Sequence, residues 1–289
     1  TLGADDGIGI AMEMALLKAN DIEHGPIECV FTRDEETGLT GAFEMKPGFM
    51  TGDYLINLDS EDEGQLFVSC AGGVRTEATY TVDEEKLPEG FSTFNLVVKG
   101  LTGGHSGDDI NKKRANANKL LVRFLWEQSE KTDLRLCDIQ AGGLHNAIPR
   151  EAHATVAVPT AYVATFGEEL QAFVEKVRDE FSATEPELTA VIEPVAAAPT
   201  CICKEQAERL LKSLSVVHNG IFAMSQDLEG LVETSSNLAS VRKHGNQIVA
   251  TTSQRSSVAS NLEYMASVVR SAFELGGAKC VTNEGYPGW

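Results

Sequence analysis

Three acidic groups stand out in the first sixty residues: Asp5-Asp6, Asp34-Glu35-Glu36 and Asp59. Each sits at a comparable place. Asp5 and Asp6 precede a helix-like run, while the other two follow short apolar runs, Ile27–Thr32 and Tyr54–Leu58, that read as buried strands. If those runs lie in a parallel sheet, their C-terminal ends share one edge, where α/β proteins build ligand sites. Asp5, Glu35, Glu36 and Asp59 would then converge from positions as far apart as 5 and 59. Carboxylates gathered so closely repel one another unless a cation lies between them. Two divalent metals are the usual hydrolytic solution: one carboxylate bridges them, others cap each metal, and a spare one takes a proton from water. Taken singly, each group has a plainer explanation as a helix cap or a solvated loop.

The elements needed to hold these residues follow from periodicity. Residues 6–20 have helical spacing of apolar side chains, and Leu39–Met45 suits a short helix. Helix, strand, helix, strand with continuously apolar strands predicts a mainly parallel sheet over residues 1–72. The pattern then changes. Val74–Val82 and Phe94–Val98 alternate apolar and polar residues, as half-exposed strands do. From there the spacing predicts strand 92–99, helix 112–130, strands 134–139 and 152–158, helix 166–184 and strand 188–194. That order is the β-α-β-β-α-β of ferredoxin-like folds. A second set follows: helix 204–217, strands 229–234 and 247–253, helix 257–275 and strand 278–282. With strand 74–82 added, it repeats the first. Residues 73–289 are therefore expected to form a lid-like domain of two similar α/β halves.

Composition narrows the function classes. The chain has 289 residues, 42% apolar and 23% charged, and a net charge of −19. So acidic a protein does not suit nucleic acid, whose phosphates attract basic faces. No run reaches the roughly 18 apolar residues of a membrane helix. Cys29, Cys70, Cys137, Cys201, Cys203 and Cys280 read as reduced, buried thiols, which fits a cytoplasmic location.

The segments TLGADDGIGIAM, DEETG, LINLDSEDEG, CAGG, GLTGGHSG, NANKLLVRFL, NAIPREA, VETSSNLA and YPGW occur in this order and span nearly the whole chain. Together they resemble the cytosolic aminoacylhistidine dipeptidases, of the di-zinc metallopeptidase family that includes peptidase T and carnosinase. The resemblance implies a zinc-peptidase catalytic domain with a lid domain inserted into it. It implies two divalent metals, zinc first, with Co²⁺ or Mn²⁺ as alternatives, and a dipeptide substrate of Xaa-His type. Residue by residue, Asp5 matches the bridging aspartate, Glu36 and Asp59 match ligands to the two metals, and Glu35 matches the general base. His105 matches a lid histidine that stabilises the oxyanion. Asn146 and Arg255 match lid positions that hold substrate, Arg255 through the dipeptide's carboxylate. His24, His145, His153, His218 and His244 match no motif and are expected to be structural or exposed. Asn116 and Asn118 are expected to organise the start of helix 112–130. A homodimer formed through the lid is also expected.

Two elements of the family pattern are missing. Its first ligand lies in a His-x-Asp motif upstream of the segment matching Thr1, and its last is a histidine downstream of Tyr-Pro-Gly-Trp. No histidine precedes His24 and none follows His244. The chain thus reads as a piece of a longer protein. The competing expectation is a non-catalytic association module, or a related di-zinc peptidase with another substrate.

Overall fold

A computed structural model describes residues 6–35, 39–59 and 64–289. The chain divides into two compact units, Thr1–Phe67 and Val68–Trp289.

In the first unit, α1 spans Gly7–Lys18 and α2 spans Thr40–Phe43. Asp6 caps α1 by accepting the Gly9 N–H at 3.0 Å, satisfying one of the donors that every helix start leaves over. The parallel sheet expected over residues 1–72 is not formed among the described residues. Ile27–Thr32 and Tyr54–Leu58 carry no ladder there, and Tyr54 is 92% exposed. An apolar strand is stable only when neighbours take its N–H and C=O groups and cover both faces, and these two segments find no such neighbour among the described residues. The side chains of α1 show the same deficit. The helix is apolar on all sides, as helices built for burial are, yet Ile8, Met12, Met14 and Leu17 are exposed.

The second unit carries the large sheet. Its strands, in chain order, are β1 (Gly72–Thr81), β2 (Glu84–Lys86), β3 (Phe91–Lys99), β4 (Gly104–His105), β5 (Arg135–Gly142), β6 (Ala147–Ile148), β7 (Ala152–Pro159), β8 (Thr189–Pro194), β9 (Thr200–Ile202), β10 (Gly220–Met224), β11 (Val232–His244), β12 (Gln247–Ser256) and β13 (Lys279–Thr282). Helices α3 (Ala117–Ser129), α4 (Val163–Glu180), α5 (Lys204–Val216) and α6 (Ala259–Leu275) interleave with them. The main sheet runs β13-β1-β12-β11-β5-β7-β3-β8, with β10 also paired to β11, and its pairings are antiparallel.

That order shows the duplication. The set β3-α3-β5-β7-α4-β8 places its four strands as fourth, first, third, second across the sheet. The set β1-α5-β11-β12-α6-β13 does the same. Both are ferredoxin-like, as the alternation predicts, and they join edge to edge through β5 and β11. The first set is spliced into the second between β1 and α5. The ends of the unit also meet. Cys70 and Trp289 exchange two backbone hydrogen bonds, at 2.7 and 3.0 Å, and Gly73 and Tyr286 exchange two more. This pairing explains why residues 68–71 belong to the second unit. Gly72 lets the two segments come this close, because a Cβ there would lie 2.6 Å from the Gly288 backbone nitrogen.

The core lies between helices and sheet. Phe124 packs against Phe166 and Phe173 at centroid distances of 5.5 and 5.2 Å, and Phe94 joins Phe166 at 6.3 Å. In β12 the alternation points Ile248, Ala250, Thr252, Gln254 and Ser256 inward, leaving Thr251, Ser253 and Arg255 on the opposite face. The inward polar groups are paired: Thr76 donates to Gln254, and the Thr234 and Ser256 hydroxyls bond to each other.

The expected helix 112–130 starts later, at Ala117, because Ile110–Lys112 forms a 3₁₀ turn and Lys113 takes φ of +55°. Asn116 caps it through the Lys119 N–H, and its amide meets Asn219 Oδ1, Asn237 Oδ1 and the Leu238 carbonyl at 2.9–3.1 Å. Asn118 shares the Leu238 carbonyl. Asn116→Ala is expected to lower stability by about 2 kcal/mol, from the lost cap and the buried acceptors left behind. A lower urea midpoint at unchanged m-value is the reading that bears this out. All six cysteines are free. Cys201 is buried as expected, whereas Cys70 is exposed and the other four are intermediate. The expectation that all six are buried is corrected on that point.

Candidate functional site

The first unit holds the acidic residues. Gly9 brings the first turn of α1 against Leu58: a Cβ there would lie 3.0 Å from the Leu58 Cβ and 2.1 Å from the Asp6 carboxylate. The helix start thus lies beside Leu58, the residue before Asp59, and the Asp59 N–H is turned onto the Asn57 side chain at 3.1 Å. Glu35 opens a tight turn. Asp34 before it takes φ of +58° and Leu39 takes +59°, left-handed conformations that are costly for a leucine. The Leu39 N–H closes the turn on the Asp34 and Glu35 carbonyls at 2.9 and 3.2 Å. Asp5 and Glu36 lie outside the described residues. No group of three ligating His, Cys, Asp or Glu side chains occurs among the described residues. The donor set itself is hard carboxylate oxygen, suited to divalent cations; zinc in addition favours nitrogen or sulfur donors.

The second unit brings three of the sequence-derived residues together on the sheet face opposite the helices. Strands β4 and β6 pair His105 with Ala147, and the Ser106 N–H donates to the Asn146 carbonyl at 2.7 Å. Asn237 secures the same loop by donating to the Ala147 carbonyl at 2.8 Å. Arg255 arrives from the end of β12, flanked by Gly73 on β1 and Ser235 on β11. Its Nη2 lies 3.5 Å from His105 Nε2.

The turn carrying His105 is braced from behind. Asp109 accepts the His105 N–H at 2.8 Å, and Lys112 and Arg114 hold that carboxylate in turn. The Lys112 bond is the main reason the Asp109 carboxyl stays below its usual range. Gly104 takes φ of +138°, and a Cβ there would sit 2.1 Å from the Asp109 carboxylate, so only glycine fits. Above the ring, a Cβ on Gly107 would be 3.1 Å from both the His105 ring and the Arg255 guanidinium. The glycines of Gly-Gly-His-Ser-Gly therefore make room for contacts as well as for a turn.

Two more residues lie beside this group: Arg75, which no motif singled out, and His145, expected to be structural or exposed. Arg75 lies across from Ser253 on β1, on the Arg255 face. His145 occupies an exposed turn, but surrounding atoms, and then the charges of Arg75 and Arg255, pull its imidazole below the ordinary value. A His-Asn pair directly before Ala-Ile-Pro was the available signal. It was hidden because only the asparagine matched a motif.

The comparisons with known proteins agree with this architecture. The model of the peptidase dimerisation domain matches residues 89–188, from just before β3 to just before β8. A solved aminoacylhistidine dipeptidase from Vibrio alginolyticus is 40% identical with a TM-score of 0.87, covering 100% of this chain and 59% of that one. Along its full length, the chain resembles the aminoacylhistidine dipeptidases. The cytosol non-specific dipeptidase of Escherichia coli (strain K12) is 39% identical over 289 residues, which is 100% of this chain and 60% of that protein. An uncharacterised protein, YqjE, from Bacillus subtilis (strain 168) is 37% identical over 109 residues, covering 35% and 29% of the two chains. The chain thus spans about 60% of the length of the dipeptidases it resembles.

Proposed function

We propose that the protein to which this chain belongs hydrolyses dipeptides in the cytoplasm, using a pair of divalent metals held in part by Asp5, Glu36 and Asp59. The observation that supports this most is the open sheet face of the second unit. There a guanidinium, an imidazole and an asparagine loop meet on a rigid frame, within a fold 40% identical to a dipeptidase. In this reading Glu35 takes a proton from the attacking water and passes it to the leaving amine. His105 donates to the oxyanion. Arg255 takes the substrate's C-terminal carboxylate, and Asn146 orients the peptide. When bound, the metals supply Lewis acidity and a more acidic water; zinc is the first choice, with Co²⁺ or Mn²⁺ as substitutes.

Chelation of the whole protein is expected to abolish hydrolysis, and zinc, cobalt or manganese to restore it. Full activity after exhaustive chelation excludes the metal reading. Carnosine and other Xaa-His dipeptides are the proposed substrates. The name of the Escherichia coli relative favours a second reading in which the dipeptide's identity matters little. A panel of Xaa-His and Xaa-Ala dipeptides, compared by kcat/KM, separates the two. A homodimer through the second unit is proposed as well. In the main sheet, β8 and β13 end the row of strands among the described residues, and such strands offer unpaired backbone groups.

A further inference from the structure

Glu185 is a buried carboxylate that the proposed chemistry does not use. It is 1% exposed, and a carboxylate taken out of water is costly unless hydrogen bonds replace its hydration. Backbone N–H groups do so here: Thr102 donates to Oε2 at 2.6 Å and Ala115 to Oε1 at 2.8 Å. Those two donors are the two ends of the loop that carries His105. Thr184, next to Glu185, adds a bond at each end. Its carbonyl accepts from the Thr102 hydroxyl at 2.9 Å, and its own hydroxyl donates to the Lys113 carbonyl at 3.2 Å. Just before the loop, Gly100 takes φ of +79°, and a Cβ there would lie 2.1 Å from the Glu187 carbonyl oxygen. Glu185 is held in turn by the end of α4, through its N–H to the Phe181 carbonyl at 2.9 Å. Residues 184–187 thus form a seat into which both loop ends are pressed.

We propose that Glu185 is a positioning residue for His105, a clamp on the loop 102–115 that fixes the His105 ring opposite Arg255. This rests on the reading of His105 as the oxyanion donor. Both arms of the clamp lead to the ring. On one side, Thr102 is followed directly by Gly103, Gly104 and His105. On the other, Ala115 is preceded by Arg114, whose guanidinium bonds the Gly103 carbonyl at 2.5 Å and the Asp109 carboxylate at 3.1 Å. Asp109 in turn accepts the His105 N–H at 2.8 Å. The far side of the loop is tied separately, by the pairing of His105 with Ala147, so losing the clamp should let the loop shift without unfolding. Such a shift matters because His105 and Arg255 come from different ferredoxin-like sets, and their 3.5 Å separation depends on where this loop is held. A catalytic donor displaced by about 1 Å can cost on the order of 10²-fold in rate.

The test is a pair of double-mutant cycles on dipeptide hydrolysis by the whole protein, combining His105→Ala with Glu185→Gln and with Glu185→Asp. The amide turns a donor toward one of the two backbone N–H groups, while the shorter acid keeps its charge but spans only one of them. With His105 present, each is expected to lower kcat by about 10- to 100-fold, with KM within about twofold. In the His105→Ala background neither should lower kcat by more than about twofold, because the residue being positioned is gone. A readout without turnover accompanies this: the His105 backbone N–H resonance of the ¹⁵N-labelled protein should move in both Glu185 variants. Those of Thr251 and Ser253 on β12 should stay in place. Equal kcat losses in both backgrounds, full kcat in the Glu185 variants, or an unmoved His105 resonance each overturns the clamp, and a kcat loss in His105→Ala then leaves the oxyanion reading standing. If His105→Ala itself keeps full kcat, the oxyanion reading falls and the clamp with it. Glu185→Asp keeps the test decisive where the buried amide prevents folding.

Discussion

Glu35→Gln in the whole protein is expected to lower kcat for dipeptide hydrolysis by about 10³-fold with little change in KM. The amide keeps the size and hydrogen-bonding reach of the carboxylate but cannot accept a proton from water. The turn should survive, because its closing bonds use the Asp34 and Glu35 backbone carbonyls and not the Glu35 side chain. The left-handed Asp34 that precedes it is untouched. Metal content is the necessary companion measurement. Loss of activity with metal retained assigns a proton-transfer role, whereas loss of both would make Glu35 a ligand. Activity within a few-fold of the unsubstituted protein removes Glu35 from the mechanism.

The two ends of the chain were unequally legible. In the second unit the strands alternate, and alternation survives without knowledge of partners, so both ferredoxin-like sets can be read from periodicity. The exception is β11, whose run Thr234-Ser235-Ser236-Asn237 is buried yet polar. Polar residues are buried when they bond to one another, as Ser236 does with Gln254, and nothing in a hydropathy pattern announces that. In the first unit the signal was strong and the outcome different. Ile27–Thr32 and Tyr54–Leu58 are apolar enough for buried strands, but a strand also needs neighbours, which no local pattern supplies. At the site, His105 was legible because its segment, Gly-Leu-Thr-Gly-Gly-His-Ser-Gly, resembles a family motif; the glycines alone suit an ordinary turn histidine. Asp108 and Asp109 were not, because one aspartate in such a pair braces the backbone and the other meets the ring, and only the fold distinguishes them.

Arg255→Met is expected to reduce kcat/KM for unblocked dipeptides by a hundredfold to a thousandfold, about 3–4 kcal/mol of lost transition-state binding. A guanidinium can hold a carboxylate through two parallel bonds, and no flexible ammonium reproduces that planar fork. Position 255 is also well supported: β1 and β11 flank it, and Gly107 leaves room for the guanidinium. The decisive control is the substrate. A dipeptide amide lacks the charge that Arg255 would take, so the unsubstituted protein should hydrolyse it poorly, and Arg255→Met should do no worse. Each single change then costs about what the two cost together, the signature of one shared interaction. Additive losses would instead mean that Arg255 supports the site by some route other than the carboxylate.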